Sequence, residues 1–395
     1  MINPFCVSII AYILVFGVFW LRWSALYQTL DIKLITFFLV NALFCIFMMI
    51  TFKNSMIFKS KKYKNKRNKS KKNNKRITVY LLIGYLINFL YSKEIPILNA
   101  VTGSGTYYKE IKMIPTLYPL LTALNVFAII YIFYEYISFK NKKDLVLSII
   151  LTIPMLVNMG RGILIMSIFP CVLMYLASVK KILNWKIILF GIVTIMAFLY
   201  SFGYFGNMRD QNKLLSQDER SEIILNLGYA TEDFRKSIIP NEYFWSYIYI
   251  SSPIANLNNY MINKPVGATV KEYFVYNFLP QSIQKKLINT EKLEIYRRMY
   301  LVDQTFNVST TYSIPYLFFG WWGVIFYQII YWIVFLCGFF IVRKTNYESI
   351  YLSLNSVLVA LSLFDNMIQL DAIFIPILMC IILSIFGRVK IKFKY

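Results

Sequence analysis

One arginine stands where an arginine is expensive. In Asn158-Met-Gly-Arg-Gly162 a guanidinium sits between two glycines in the turn that joins two apolar runs. A charge at that depth is costly unless an anion or a lipid headgroup meets it. Its planar fork of donors suits a phosphate or pyrophosphate, and flanking glycines free backbone N–H groups for close approach. Arg161 is therefore the first candidate for chemistry, with Asn158, Gly160 and Gly162 as binding positions around it; a plainer role, snorkelling to lipid phosphate or pinning the hairpin, stands beside that one. Arg209 comes second, because Gly203-Tyr-Phe-Gly-Asn-Met-Arg-Asp210 places it, with Asp210, just where another apolar run ends.

A further cluster runs Asp303-Gln-Thr-Phe-Asn-Val-Ser-Thr-Thr-Tyr312, followed by Gly320-Trp-Trp-Gly323. Hydroxyls and amides of this kind hydrogen-bond sugars and aromatic faces stack on them. Asp303 could take a proton from a hydroxyl, with Tyr312 as the alternative, and Asn307, Thr310 and Thr311 would bind. Arg297 and Arg298 lie just upstream and complete the set. Asn307-Val-Ser309 also fits the glycosylation pattern, a match loose enough to arise by chance. The chain has no histidine. That removes the usual general base, the usual zinc ligand and every Ser-His or Cys-His nucleophile. Cys6, Cys45, Cys171, Cys337 and Cys380 all fall inside apolar runs with no metal spacing and read as small core residues. No metal and no cofactor is expected.

The elements that must hold these groups are membrane spans. Of 395 residues 58% are hydrophobic and only 15% charged, and the mean hydropathy is +0.55, beyond a soluble domain of this size. About ten apolar runs approach the length that crosses the hydrocarbon: 4–23, 34–52, 77–91, 115–139, 145–160, 162–179, 185–204, 314–342, 350–364 and 372–387. The expected fold is an all-α polytopic membrane protein, divided into a first block of seven spans (1–203), a large helical loop (204–313) and a last block of three spans (314–395). The 35 residues from Leu145 to Val179 allow two spans of only about 17 residues, or about 25 Å, each, which holds the Arg161 turn at the headgroup level without slack.

The connections alternate in charge. Lys59–Arg76 carries 11 Lys+Arg among 18 residues and no acid, and smaller basic clusters follow at 140–143, 180–186, 343–344 and 388–394. The positive-inside rule puts all of them, and both termini, on the cytoplasmic side. That face then carries 24 of the 42 Lys+Arg but only three acids, Glu135, Asp144 and Glu348. The net charge of +23 is thus read as topological, a basic loop against anionic lipid headgroups. A nucleic-acid footprint is not expected, since no aromatics are interleaved to stack bases.

The large loop, which falls on the outer side, is not a linker. Ser216-Gln-Asp-Glu219 reads as a capping box before a helix at 220–227, Thr231 as the cap of 232–238, and Thr290 leads into a helix at 291–300 in which Glu294 and Arg298 pair at helical spacing. The aromatic segments 244–250 and 273–279 are expected to lie on the interface. The picture is a helical cap resting on the membrane above a groove.

Ten spans, one large late outer loop, the Asn-x-Gly-Arg-Gly turn, Ser251-Ser-Pro-Ile-Ala-Asn-Leu257 and Asn307-Val-Ser-Thr-Thr-Tyr312 ahead of Gly320–Gly323 together resemble the oligosaccharide repeat-unit polymerases of bacterial surface polysaccharides, the O-antigen and capsule polymerase family. The resemblance covers nearly the whole chain and lies in the combination. It implies a metal-independent membrane glycosyltransferase of the C-type fold at the outer face of the bacterial cytoplasmic membrane. Such an enzyme moves a glycan from its undecaprenyl-pyrophosphate carrier onto another lipid-linked repeat unit, beside a chain-length regulator in some systems. By analogy Arg161 and Arg209 would hold pyrophosphate, and an acid or tyrosine of the loop would assist the acceptor hydroxyl. The arginine-x10-glycine pattern of some members is missing from both arginines. An O-antigen ligase would typically use a loop histidine, a flippase would carry polar residues along its spans, and a non-catalytic export component would need none of these groups.

Overall fold

The computed structural model describes residues 3–56, 67–102, 111–179, 185–207 and 217–392, and among them it is helical, with one isolated antiparallel bridge between Ser24 and Ala230. Four helices are long and apolar enough to cross a membrane: α2 (Ile32–Thr51), α5 (Leu117–Phe139), α16 (Ser313–Val342) and most of α18 (Asp371–Lys392). Shorter apolar helices are α1 (Pro4–Phe19), α8 (Arg161–Ser178), α9 (Trp185–Asn207) and α17 (Glu348–Leu361). The remainder are α3 (Arg67–Ser92), α4 (Pro96–Thr102), α6 (Lys142–Ile150) and α7 (Ile153–Val157), and, in the large loop, α10 (Gln217–Leu227), α11 (Glu232–Arg235), α12 (Glu242–Ile262), α13 (Val270–Phe278), α14 (Gln281–Leu287) and α15 (Thr290–Met299). Of the basic run Lys59–Arg76, expected as a loop, Arg67–Arg76 forms the first turns of α3 and residues 59–66 lie outside the described residues.

Local sequence explains the ends. Asn3 accepts the Phe5 N–H at 2.9 Å with Pro4 at the first helical position, and Asp31 accepts the Lys33 N–H at 2.7 Å to start α2. Two expected spans are broken. The run 145–160 divides into α6 and α7 because Pro154 has no N–H to continue the ladder to Ile150. In α16 the helix breaks at Phe319 and Gly320, and Gly320 adopts φ 59°, ψ −145°, a conformation open essentially to glycine alone. Of the carbonyls freed there, that of Leu317 accepts the Val266 N–H at 2.9 Å; past the break the Gly323 carbonyl accepts the Tyr273 hydroxyl at 2.6 Å.

Two apolar clusters form the interior. One joins α1, α5, α8, α16, α17 and α18 around Phe5, Trp332, Phe335 and Tyr351. The other fastens the large loop to the ends of the spans through Phe19, Tyr27, Phe234, Phe244, Tyr247, Tyr260 and Phe318. The segment 244–250, expected on the membrane interface, is instead the first half of the long helix α12, with Phe244, Tyr247 and Ile248 buried against α1 and α9. The approach of α12 to α9 requires a glycine, because a Cβ on Gly203 would stand 1.9 Å from the Glu242 carbonyl oxygen. Hydrogen bonds from the Thr231 N–H to the Trp23 carbonyl and from the Ala25 N–H to the Tyr229 carbonyl, both 2.9 Å, stitch the loop to the short connection after α1. Thr231 does stand at the start of a helix, but that helix ends at Arg235 and the threonine side chain makes no cap bond. The expected capping box at Ser216 lies outside the described residues.

Candidate functional site

Two polar features stand apart among the described residues. The first is the seam where the cap meets the end of α17. Helix α15 carries Glu294 and Arg297 one turn apart, and Arg297, with its side chain 18% exposed, reaches out of the cap to the Asp365 carboxylate at 3.0 Å and stands 3.9 Å from Glu294. The Tyr276 hydroxyl donates to Glu294 at 3.5 Å, and the Tyr260 hydroxyl donates to the Arg297 carbonyl. Burial disfavours the charge on Arg297, yet Asp365, Tyr276 and Glu294 outweigh it and hold the guanidinium above its ordinary value. Burial pushes the Tyr276 phenol up to about 12. The helical pair expected between Glu294 and Arg298 is replaced by this arrangement: Glu294 turns to Arg297, and Arg298 is exposed, its carbonyl accepting from Gln304 at 3.0 Å.

Below the seam, the 303–312 segment is held against the bundle. Asp303 accepts the Thr305 N–H at 2.7 Å, a local turn, and Asn307 is exposed. Thr310, Thr311 and Tyr312 are buried. Thr311 donates to the Tyr327 hydroxyl at 2.7 Å, Tyr312 donates to Gln328 Oε1 at 2.7 Å, and Thr310 accepts the Tyr312 N–H at 3.2 Å. Thr311 and Tyr312 are thus joined through α16, and their hydroxyls are committed inside the protein. Sequence reasoning missed Asn256, which lies in the Ser251–Leu257 motif. Its amide donates to the Phe306 and Val308 carbonyls at 2.6 and 2.7 Å and its carbonyl accepts the Val302 N–H at 2.8 Å, so it pins this whole segment. It missed Asp365 and Asn366 as well; their signal is a charged and an amide residue in the short break between two apolar runs.

The second feature is the turn 158–162. Gly160 precedes α8 with no side-chain cap, Arg161 opens that helix, and the Arg161 side chain lies outside the described residues. The turn is made by Met159 at φ +55°, and neither glycine has a positive φ. A Cβ on Gly160 would make an ordinary contact at 3.5 Å, and one on Gly162 would meet nothing within 4 Å. Within the protein, neither glycine is required by its neighbours. Asn158 donates to the Pro154 carbonyl at 2.7 Å, while its own side-chain oxygen is buried with no protein partner. Asn158 also lines a cleft of about 340 Å³ with Ile111, Ile114, Thr116, Tyr118 and Pro119. Arg209 and Asp210 lie outside the described residues.

No hydrogen bond or ion pair between described residues links the turn to the seam. Among the described residues no group of three or more potential metal ligands converges, and the five cysteines are free. No protein-family model, no curated protein and no solved structure matches this chain.

Proposed function

We propose that this chain is a membrane glycosyltransferase that polymerises undecaprenyl-pyrophosphate-linked oligosaccharide repeat units into surface polysaccharide at the outer face of the bacterial cytoplasmic membrane. In this reading the chain crosses the membrane ten times with both termini cytoplasmic, α6 with α7 counting as one crossing, in the manner of the C-type glycosyltransferases. The observation that carries the reading is the cap. The interruption between α9 and α16 folds into helices α10–α15 and is keyed to the bundle by the buried amides of Asn366 and Gln369, which donate to the Asn277 and Tyr276 carbonyls, and by an ion pair. A transporter has no need of such a structure. A linear lipid-linked glycan needs a covered surface beside the membrane in which two chains can be aligned.

Roles follow from which groups remain available. The Arg161 turn and the cleft beside Asn158 are assigned to the pyrophosphate end of the carrier. The buried Thr311 and Tyr312 are assigned to holding the cap, which leaves Asp303 as the outer-loop acid for the acceptor hydroxyl. The test is the glycan profile of cells lacking the protein. Single repeat units on the final acceptor support the polymerase reading. Full-length chains accumulating on the carrier lipid would make the protein a ligase, and an unchanged profile would overturn the enzymatic reading.

A further inference from the structure

Beneath the last residues of the cap, between α1, α16 and α17, lies a small space whose wall includes Ser8, Tyr12, Tyr312, Gln328, Tyr331 and Trp332. Several of these polar groups already have protein partners. Tyr312 donates to Gln328, and Asn41 donates to the Tyr12 hydroxyl at 3.1 Å and to the Tyr312 hydroxyl at 3.4 Å. Two groups do not. The Tyr331 hydroxyl and the Trp332 indole Nε1 are buried with no hydrogen-bond partner in the protein, on residues only 8% and 4% exposed. Two such orphans on adjacent residues are costly if left unmet.

We propose that this space is a binding site for a single water molecule, which accepts the Trp332 indole N–H and exchanges a hydrogen bond with the Tyr331 hydroxyl. Three features point to water and not to another ligand. The wall holds no charged side chain, so no ion is balanced there. The cavity, about 10 Å³, has room for one water and for nothing larger. The wall also offers both donors and acceptors, and a buried water needs two to four polar partners. The water sits beside the hydrogen-bonded hub in which Asn41 joins Tyr12 of α1 to Tyr312, and Tyr312 joins Gln328 of α16, where the cap enters the bundle. This inference is independent of the proposed activity.

The test uses the full chain in lipid nanodiscs, labelled with nitrogen-15 at the tryptophan indoles. The Trp332 indole resonance, identified by its loss in Trp332→Phe, is expected to show magnetisation transfer from a long-lived water. Tyr331→Phe is expected to lower Tm by a few degrees, because the bound water loses a partner. An indole without a water signal would overturn the proposal. A Tm for Tyr331→Phe that is unchanged or raised would do so as well, since deleting a hydroxyl that truly has no partner relieves a cost.

Discussion

The seam and the turn carry the same kind of residue to opposite ends. At the seam Arg297 lies between Asp365 and Glu294, with tyrosines on both sides, and its charge is neutralised by the protein itself. At the turn Arg161 is followed by a helix whose first N–H groups have no side-chain cap, next to an amide oxygen with no protein partner and an open cleft. A guanidinium already matched by carboxylates has little left to offer an anion; a helix start without a side-chain cap leaves its first N–H groups to other partners. The difference teaches that an arginine's chemistry is decided by what the fold has already given it. Arg297, a candidate substrate ligand by sequence, is already paired with Asp365 within the protein.

That contrast can be broken from either side. The largest expected effect is at the docking of the cap: Gly203→Ala drives a Cβ into the Glu242 carbonyl and should cost about 3 kcal/mol, read as a loss of Tm and faster proteolysis of the cap. Asp365→Ala comes next. It strands Arg297, but Asp365 is 43% exposed, so the penalty of a fully buried pair is discounted to about 1–2 kcal/mol; a double-mutant cycle with Arg297→Ala should show that most of it is coupling. Alkali should loosen the same seam. The Tyr276 value is raised in the folded protein from 10.0 to about 12, so its contribution is intact below pH 10 and is lost as pH rises through 12. Cap proteolysis followed across that window should rise, and Tyr276→Phe should flatten the response. The smallest effect belongs to the turn: Gly162→Ala meets open space and should change stability by no more than about 1 kcal/mol, towards greater stability if either way.

Much of the architecture was legible from residue patterning, because a hydrophobic run announces its helix whatever surrounds it. The first helix starts where its apolar run starts, at Pro4; α2 starts at Ile32, two residues ahead of its apolar run, because Asp31 caps it, and α15 takes in Thr290 itself. Breaks were harder to read: Pro154 sits in an apolar run that looks continuous, and Gly320 lies among tryptophans that read as a span. The burial of α12 was hidden for a physical reason, since Phe244, Tyr247 and Tyr260 suit an interface as well as a core, and only the glycine contact at Gly203 decides between them. At the candidate site, Asn158 and the turn were visible as an isolated polar island. The partner of Arg297 was not, because Asp365 is 68 residues away and no local pattern couples them. Thr311 and Tyr312 read as sugar ligands from residue type, and the structure buries both in hydrogen bonds to Tyr327 and Gln328, since a hydrogen-bonding hub and a binding surface use the same residue types.

The most direct test sets Arg161→Ala against Arg297→Ala in cells lacking the native protein, with membrane levels, Tm and glycan profile measured together. The account predicts that Arg161→Ala leaves level and Tm at wild-type values and yields only single repeat units, with Arg161→Lys failing to restore polymer, while Arg297→Ala lowers Tm yet still makes polymer in proportion to the protein that remains. Full polymer from Arg161→Ala, together with none from a stable Arg297→Ala protein, would contradict it.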